Sequence, residues 1–257
     1  MNFSRIELKL RAKEVLSIKY WPFFLVGLLQ SIISGIFSVN IDVSGLNINT
    51  PTFAVFGAVL VIFSLFISVF LKSPLRVAIC RFMLVNSENS GVSYNSLWDI
   101  FKDGYIKVVK ATFMKNLLLG IYEVIWTIGM AGMFLSILAV THSFGILSVF
   151  LFVISFVIFL TGMVLYVNRF YAYYMVEYLL SENPDMGWKE AINTSKSMMR
   201  GVKFETFILE LSFLGWVLLG LMACGIGVLF VAPYQNATIT QLYIKLRDER
   251  LSGYKIV

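Results

Sequence analysis

Side chains able to carry out catalysis are sparse in this sequence. His142 is the single histidine, and Cys80 and Cys224 are the two cysteines. A zinc site needs several closely spaced ligands, and an intramembrane metalloprotease needs paired histidines with a glutamate. No glycine-rich phosphate loop precedes a helix, and no histidine or lysine lies within an apolar segment where it could activate a serine. We therefore expect a protein that is not an enzyme and that holds no metal or other cofactor.

Two glutamates interrupt long apolar stretches and are the candidate intramembrane polar site. Glu123 follows Lys115 by eight residues, which places it about 12 Å deeper along a helix at 1.5 Å per residue. An ionisable group at such a depth costs about 2.5 to 3.5 kcal/mol on insertion scales and is a candidate for proton or cation binding. The alternative is a hydrogen-bonded carboxyl that packs the helices together. Glu210 follows Lys203 by seven residues, about 10 Å deep, where its side chain could reach back to the interface.

The other polar groups in these stretches have simpler interpretations. Gln30 and Asn168 are predicted to form interhelical hydrogen bonds rather than to bind a ligand. A group of tyrosines around Arg169 is typical of an aromatic belt at the membrane interface, and the alternative is a cation–π cage. Its members are Tyr166, Tyr171, Tyr173, Tyr174 and Tyr178.

The composition places these residues in a membrane protein. Hydrophobic residues make up 58% of the 257-residue chain and charged residues only 14%, whereas globular domains carry about 25% charged residues. The net charge of +6 could indicate nucleic-acid binding, but the basic residues flank apolar segments instead of forming a basic face. We therefore expect the lipid bilayer, and not nucleic acid, to be the partner.

Apolar segments of about 20 residues each are long enough to cross a membrane. The last block is ambiguous, because it is either one helix or a hairpin with legs at 207–222 and 226–244. A hairpin would turn near Gly220 and Cys224–Gly227, where glycine permits a tight reversal. The segments are 21–39, 52–71, 116–140, 144–167 and the block 207–231.

The distribution of basic residues favours the hairpin. All 21 Lys and Arg residues fall before the first segment, between the second and third, between the fourth and the last block, or near the end. Six spans place these four groups on one side, as the positive-inside rule requires. The sequence thus predicts an all-α polytopic transmembrane helical bundle of six spans with both termini in the cytoplasm. The alternative is five spans, with residues 235–251 as an outer amphipathic helix.

Three amphipathic helices are predicted on the cytoplasmic side. The first occupies a 1–20 N-terminal segment that precedes a 21–257 transmembrane domain, and it opens with Ser4 and Glu7 at capping-box spacing. The second spans Tyr94 to Tyr105, and the third begins at Pro184 and ends at Gly201. Either these helices rest on anionic lipid headgroups, or they are connectors packed against the ends of the spans.

The last third of the chain carries a recognisable pattern. It comprises Tyr178–Pro184, Ala191, Ser195–Gly201, Leu211–Trp216, Gly225–Gly227 and Pro233–Tyr234. With these motifs the sequence resembles a bacterial integral membrane family, domain of unknown function 975. The resemblance implies a protein of the bacterial cytoplasmic membrane, and it brings no activity or ligand.

Two functions are compatible with these features. The first is a non-catalytic membrane protein that acts as a scaffold, an accessory subunit or a lipid-interacting factor, with a protein partner or a homo-oligomer left open. The alternative is a small-solute or ion transporter or channel that uses Glu123. A polar cavity reaching Glu123 would favour transport, and a dry, tightly packed bundle would favour the first function.

Overall fold

The computed structural model describes residues 3–36, 51–89, 91–102, 104–142, 145–222 and 225–251, and its regular elements there are helical. A π-helical turn, Ser68–Lys72, joins the second helix to the third. The helices are α1 (Arg5–Ile36), α2 (Pro51–Ile67), α3 (Ser73–Glu88), α4 (Ser96–Lys102), α5 (Tyr105–His142), α6 (Ile146–Ala172), α7 (Val176–Glu182), α8 (Trp188–Met198), α9 (Lys203–Leu211), α10 (Leu214–Met222) and α11 (Ile226–Arg250).

Within the described ranges, five helical segments are long and apolar enough to cross a membrane. This confirms the all-α transmembrane fold class. The sixth predicted span, 226–244, lies in α11, and α11 is not one of these five segments. The count of six spans therefore stays a prediction. The five segments are Arg5–Ile32, Ile62–Glu88, Tyr105–Ala139, Ile146–Glu182 and Lys203–Met222.

The last apolar block is a hairpin and not one continuous helix. Helix α10 ends at Met222, and α11 begins after Gly225, whose φ of +78° favours glycine. The Phe213 ring packs on Tyr234 with 5.1 Å between centroids. Nearer the turn, a Cβ added to Gly220 would lie 2.7 Å from the carbonyl carbon of Gly227, near the start of α11. Successive contacts that converge on the turn show that the two legs run antiparallel.

Helices α5 and α6 form a second antiparallel hairpin. Gly129 of α5 lies against Phe159 of α6, and Gly162 of α6 lies against Trp126 of α5. A Cβ on Gly129 would come within 2.4 Å of the Phe159 amide nitrogen. The two backbones therefore approach as closely as small residues at membrane helix interfaces allow.

The buried core lies at the end of the molecule that carries the basic segments. There α3, α7 and α8 pack with the start of α5 and the end of α11, whereas the far halves of α5 and α6 leave most apolar side chains exposed. This asymmetry fits a bundle whose far end is surrounded by lipid. The core includes Val77, Val108, Met175, Leu179, Ile192, Met199, Leu242 and Tyr243.

The amphipathic helices differ in how their apolar faces are covered. Leu8, Ala12 and Leu16 of the first helix and Ile192 of the third are buried, whereas Tyr94 and Trp98 of the second are exposed. The first and third helices therefore pack against protein, which favours connectors there, and the apolar face of the second is only partly covered. The first helix is continuous with the first span through a kink at residue 19.

One arginine fixes the end of α11 to this region. Arg247 donates to Glu88 of α3 at 2.6 Å and to Glu182 of α7 at 2.5 Å. Burial lowers the pKa of the Arg247 guanidinium, but the hydrogen bonds to both carboxylates outweigh it and raise the pKa above its usual range. Arg247 therefore stays charged and holds three helices together.

Candidate ligand-binding cavity

Two adjoining polar cavities lie between the helices. The larger has a volume of about 370 Å³ and is bordered by α1, α3, α9, α11 and the junction of α6 with α7. The smaller, of about 240 Å³, is bordered by α1, α3, α5 and α7. Gln30, Arg76 and Glu177 line both cavities, so these three side chains form the partition between them.

Two of these three side chains, Arg76 and Glu177, belong to a charge cluster with Lys115. The Lys115 ammonium donates a hydrogen bond to Glu177 Oε1, and Arg76 Nε lies 3.7 Å from the same oxygen. The side chains of Glu177 and Lys115 are only 9% and 13% exposed, whereas that of Arg76 is 59% exposed. Buried charges persist when they are paired. Glu177 therefore holds two cations, and the guanidinium of Arg76 faces the open cavity.

Glu210 lies in the wall of the larger cavity, where it is held by two tyrosines. The hydroxyls of Tyr171 and Tyr174 donate to its two carboxylate oxygens, and Tyr174 also lines the cavity. Two hydroxyl donors offset the cost of removing a carboxylate from water. Glu210 is thus held in the cavity wall by Tyr171 and Tyr174.

Glu123 lies away from both cavities. It occupies an exposed position on α5, close enough to Tyr166 to interact with it electrostatically. Neither cavity is lined by Glu123, so the structure does not bring the two candidate glutamates together. A cavity does exist, as the transport hypothesis required, but it reaches Glu210 and not Glu123.

The tyrosine group differs from a membrane-interface belt. Tyr171, Tyr173 and Tyr178 are buried, and the Tyr178 hydroxyl lies 3.1 Å from Thr240 Oγ1. Arg169 contacts the ring of Tyr122 on α5, with 5.5 Å to its centroid. These three tyrosines therefore pack against protein, unlike the lipid-facing rings of a belt, and Tyr178 lines the larger cavity.

Helix irregularities surround the cavities. The π-helical turn ends at Lys72, which lines the smaller cavity. The junction of α6 with α7 contains Tyr174, and Pro233 within α11 lies between the lining residues Ala232 and Gln235. π-Helical turns are frequent at functional sites, and interrupted membrane helices mark many transporter binding sites.

The junction of α6 with α7 is maintained by a side chain from another helix. Ser195 of α8 donates to the Ala172 carbonyl oxygen at 2.9 Å and accepts from the Met175 amide at 3.2 Å. Both groups are freed by the break and are buried. Because Ser195 satisfies one acceptor and one donor, the irregular backbone is a stable part of the fold.

Sequence reasoning overlooked the central charge cluster. In the sequence, Arg76 and Lys115 indicate only membrane topology, and no motif marks Glu177. The usable signal is that Glu177 lies ten residues after a long apolar segment and among tyrosines, where an acidic residue is unexpected. Its partners, 101 and 62 residues earlier, become visible only in the folded chain.

Comparison with known proteins identifies one family. The family model described as protein of unknown function (DUF975) matches residues 1–250. Neither a curated protein nor a solved structure matches the chain significantly.

Proposed function

The chain belongs to the DUF975 family of proteins of unknown function, and we propose its role from the cavities that the structure contains. It is a non-catalytic, multi-pass membrane protein that binds and transports a small polar solute. The observation that carries this proposal is the guanidinium of Arg76, which faces a cavity inside an apolar bundle. Placing ionisable groups within a membrane protein is costly, and a scaffold has no need of such a cavity.

The arrangement of the helices supports transport in addition to binding. The cavity walls come from separate parts of the bundle, namely α1 with α9 and α11, and α3 with α5, α6 and α7. Irregular turns at these walls allow small rotations of one part against another, as alternating access requires. The proposal keeps the transporter hypothesis but replaces Glu123 with the cluster around Glu177.

Water accessibility of the cavity tests this function without knowledge of the solute. In a protein carrying Cys80→Ala and Cys224→Ala, we expect Ala232→Cys to react with a small charged methanethiosulfonate reagent. Leu218→Cys, on the exposed surface of α10, is the matched control. Lipid suppresses the reactive thiolate, so labelling at position 232 should be about tenfold or more faster than at 218.

The side from which the reagent enters separates binding from transport. A transporter should expose position 232 to reagent added on either side of the membrane, in different conformations. Labelling from one side only would limit the function to binding. If the thiol of Ala232→Cys were as unreactive as that of Leu218→Cys, the interior would be dry, and the scaffold function would be favoured.

We also propose that the protein lies in the bacterial cytoplasmic membrane with both termini in the cytoplasm, on the basis of the positive-inside rule. Ser44 and Ser252 report on this orientation, and both lie outside the described residues. Replaced separately by Cys in the same cysteine-free protein, Ser44 should label from outside and Ser252 only after permeabilisation. Outside labelling at 252 would establish an odd number of spans.

A further inference from the structure

The smaller cavity carries an excess of positive charge. Lys72, Arg76 and Lys115 line it together with a single carboxylate, that of Glu177, so three cations face one anion. The remaining polar lining residues are neutral hydrogen-bonding groups: Gln30, Ser73, Thr112 and Asn116. An excess of two positive charges inside a bundle favours an anion as the missing partner.

Arg76 and Lys72 have donors available for such an anion. Arg76 uses its Nε edge toward Glu177, and its terminal nitrogens have no hydrogen-bond partner among the described residues. Lys72 is half-buried and has no ion pair or hydrogen bond within the described ranges. The two residues are four apart, which places them on the same face of the helix, and both line this cavity.

We propose that the smaller cavity binds the phosphate group of an anionic ligand, with Arg76 and Lys72 as its direct contacts. The inference rests on the proposed function and names its ligand class. A phosphate monoester carries about 1.5 to 2 negative charges at neutral pH, which matches the excess of two positive charges. The planar guanidinium binds two phosphate oxygens at once, and the lysine adds a point charge.

Glu177 and Lys115 are positioning residues in this site. Glu177 pairs with Lys115 and lies beside the Nε edge of Arg76, which orients the guanidinium and prevents the three cations from repelling one another. The volume of about 240 Å³ exceeds that of a phosphate group and leaves room for an attached alcohol. The phosphate could belong to a soluble ester or to the headgroup of phosphatidic acid, since both are monoesters with the same three terminal oxygens.

The test uses the full-length purified protein and two sources of phosphate. In detergent, glycerol 3-phosphate is titrated while the thermal unfolding midpoint is followed, with chloride at equal ionic strength as the control. In the second arm, the midpoint is compared in phosphatidylcholine nanodiscs with and without phosphatidic acid. We expect saturable stabilisation by the phosphate ligand in at least one arm, because a ligand that binds only the folded state raises its stability.

Variants assign the effect to the cavity. Arg76→Gln and Lys72→Gln should each weaken the apparent affinity for the phosphate ligand about tenfold or more. The apparent affinity of Arg76→Lys should lie between that of these variants and that of the native protein. Lys110→Gln, which removes an exposed cation outside both cavities, should leave the affinity unchanged. If Arg76→Gln fails to fold, Lys72→Gln decides alone, since Lys72 has no partner in the described fold.

Each outcome has a definite meaning. Stabilisation by glycerol 3-phosphate indicates a soluble ester, and stabilisation by phosphatidic acid alone indicates a headgroup; both support a phosphate site. A response that chloride reproduces, or one that Arg76→Gln and Lys72→Gln leave intact, would overturn the inference. The proposed function fails separately, because the labelling of Ala232→Cys does not depend on the chemistry of the ligand.

Discussion

Replacing Lys115 with Met is expected to lower the free energy of unfolding by about 3 kcal/mol, within the 3 to 5 kcal/mol typical of breaking a buried ion pair. The Lys115 ammonium is the closest partner of Glu177, and both side chains are nearly excluded from solvent. Met fills the same space but leaves the carboxylate with only the more distant Arg76, 3.7 Å away. That remaining cation is the reason for placing the loss at the lower end of the range.

Three further variants isolate the ion pair as the cause. Lys115→Arg keeps the charge and should retain most of the stability. The double variant Lys115→Met with Glu177→Met removes both charges and should recover much of the loss, because an uncharged pair leaves no isolated buried charge. Glu123→Gln, on the exposed side of the same helix, should have little effect.

The measurement is denaturant or thermal unfolding of the purified proteins in one detergent. A double variant that is as unstable as Lys115→Met would show that the loss comes from packing, and the ion pair would then contribute little. A destabilised Glu123→Gln would return Glu123 to consideration as a structural residue that the cavity geometry does not explain.

Features that depend on local sequence could be predicted. Gly201 adopts a φ of +80° beyond the end of α8, as expected for a glycine that ends a helix after Arg200. The reversal between α10 and α11 lies at the predicted glycine-rich turn. In both cases the signal is a backbone requirement that one or two residues satisfy by themselves.

The cavity could not be predicted, because it depends on contacts between distant helices. Hydropathy gives the depth of Glu123 but not the face of the helix that carries it, and α5 is apolar on nearly all sides. Basic residues near span ends look alike in sequence, whether they face headgroups or, like Arg76, face a cavity. The spacing of Ser195 places it on an apolar stripe, and its role becomes clear only beside the break between α6 and α7.

Alanine at the glycines between α5 and α6 is also expected to destabilise the protein. A Cβ on Gly129 would lie 2.4 Å from the amide nitrogen of Phe159, and one on Gly162 would lie 2.6 Å from that of Trp126. These neighbours are backbone atoms, which cannot rotate away as a flexible side chain could, so the helices must separate along the hairpin. We expect Gly129→Ala and Gly162→Ala each to cost about 1 to 3 kcal/mol through overpacking.

Gly120→Ala in the same helix provides the matched control for this prediction. Gly120 has no atom within 4 Å of its virtual Cβ, and alanine favours a helix over glycine by about 0.8 to 1 kcal/mol. Gly120→Ala should therefore be neutral or stabilising, whereas the same change at Gly129 should lower the unfolding midpoint under identical detergent conditions. Equal midpoints for the two variants would mean that the helices can move apart without loss, and that close approach of the backbones does not hold this hairpin together.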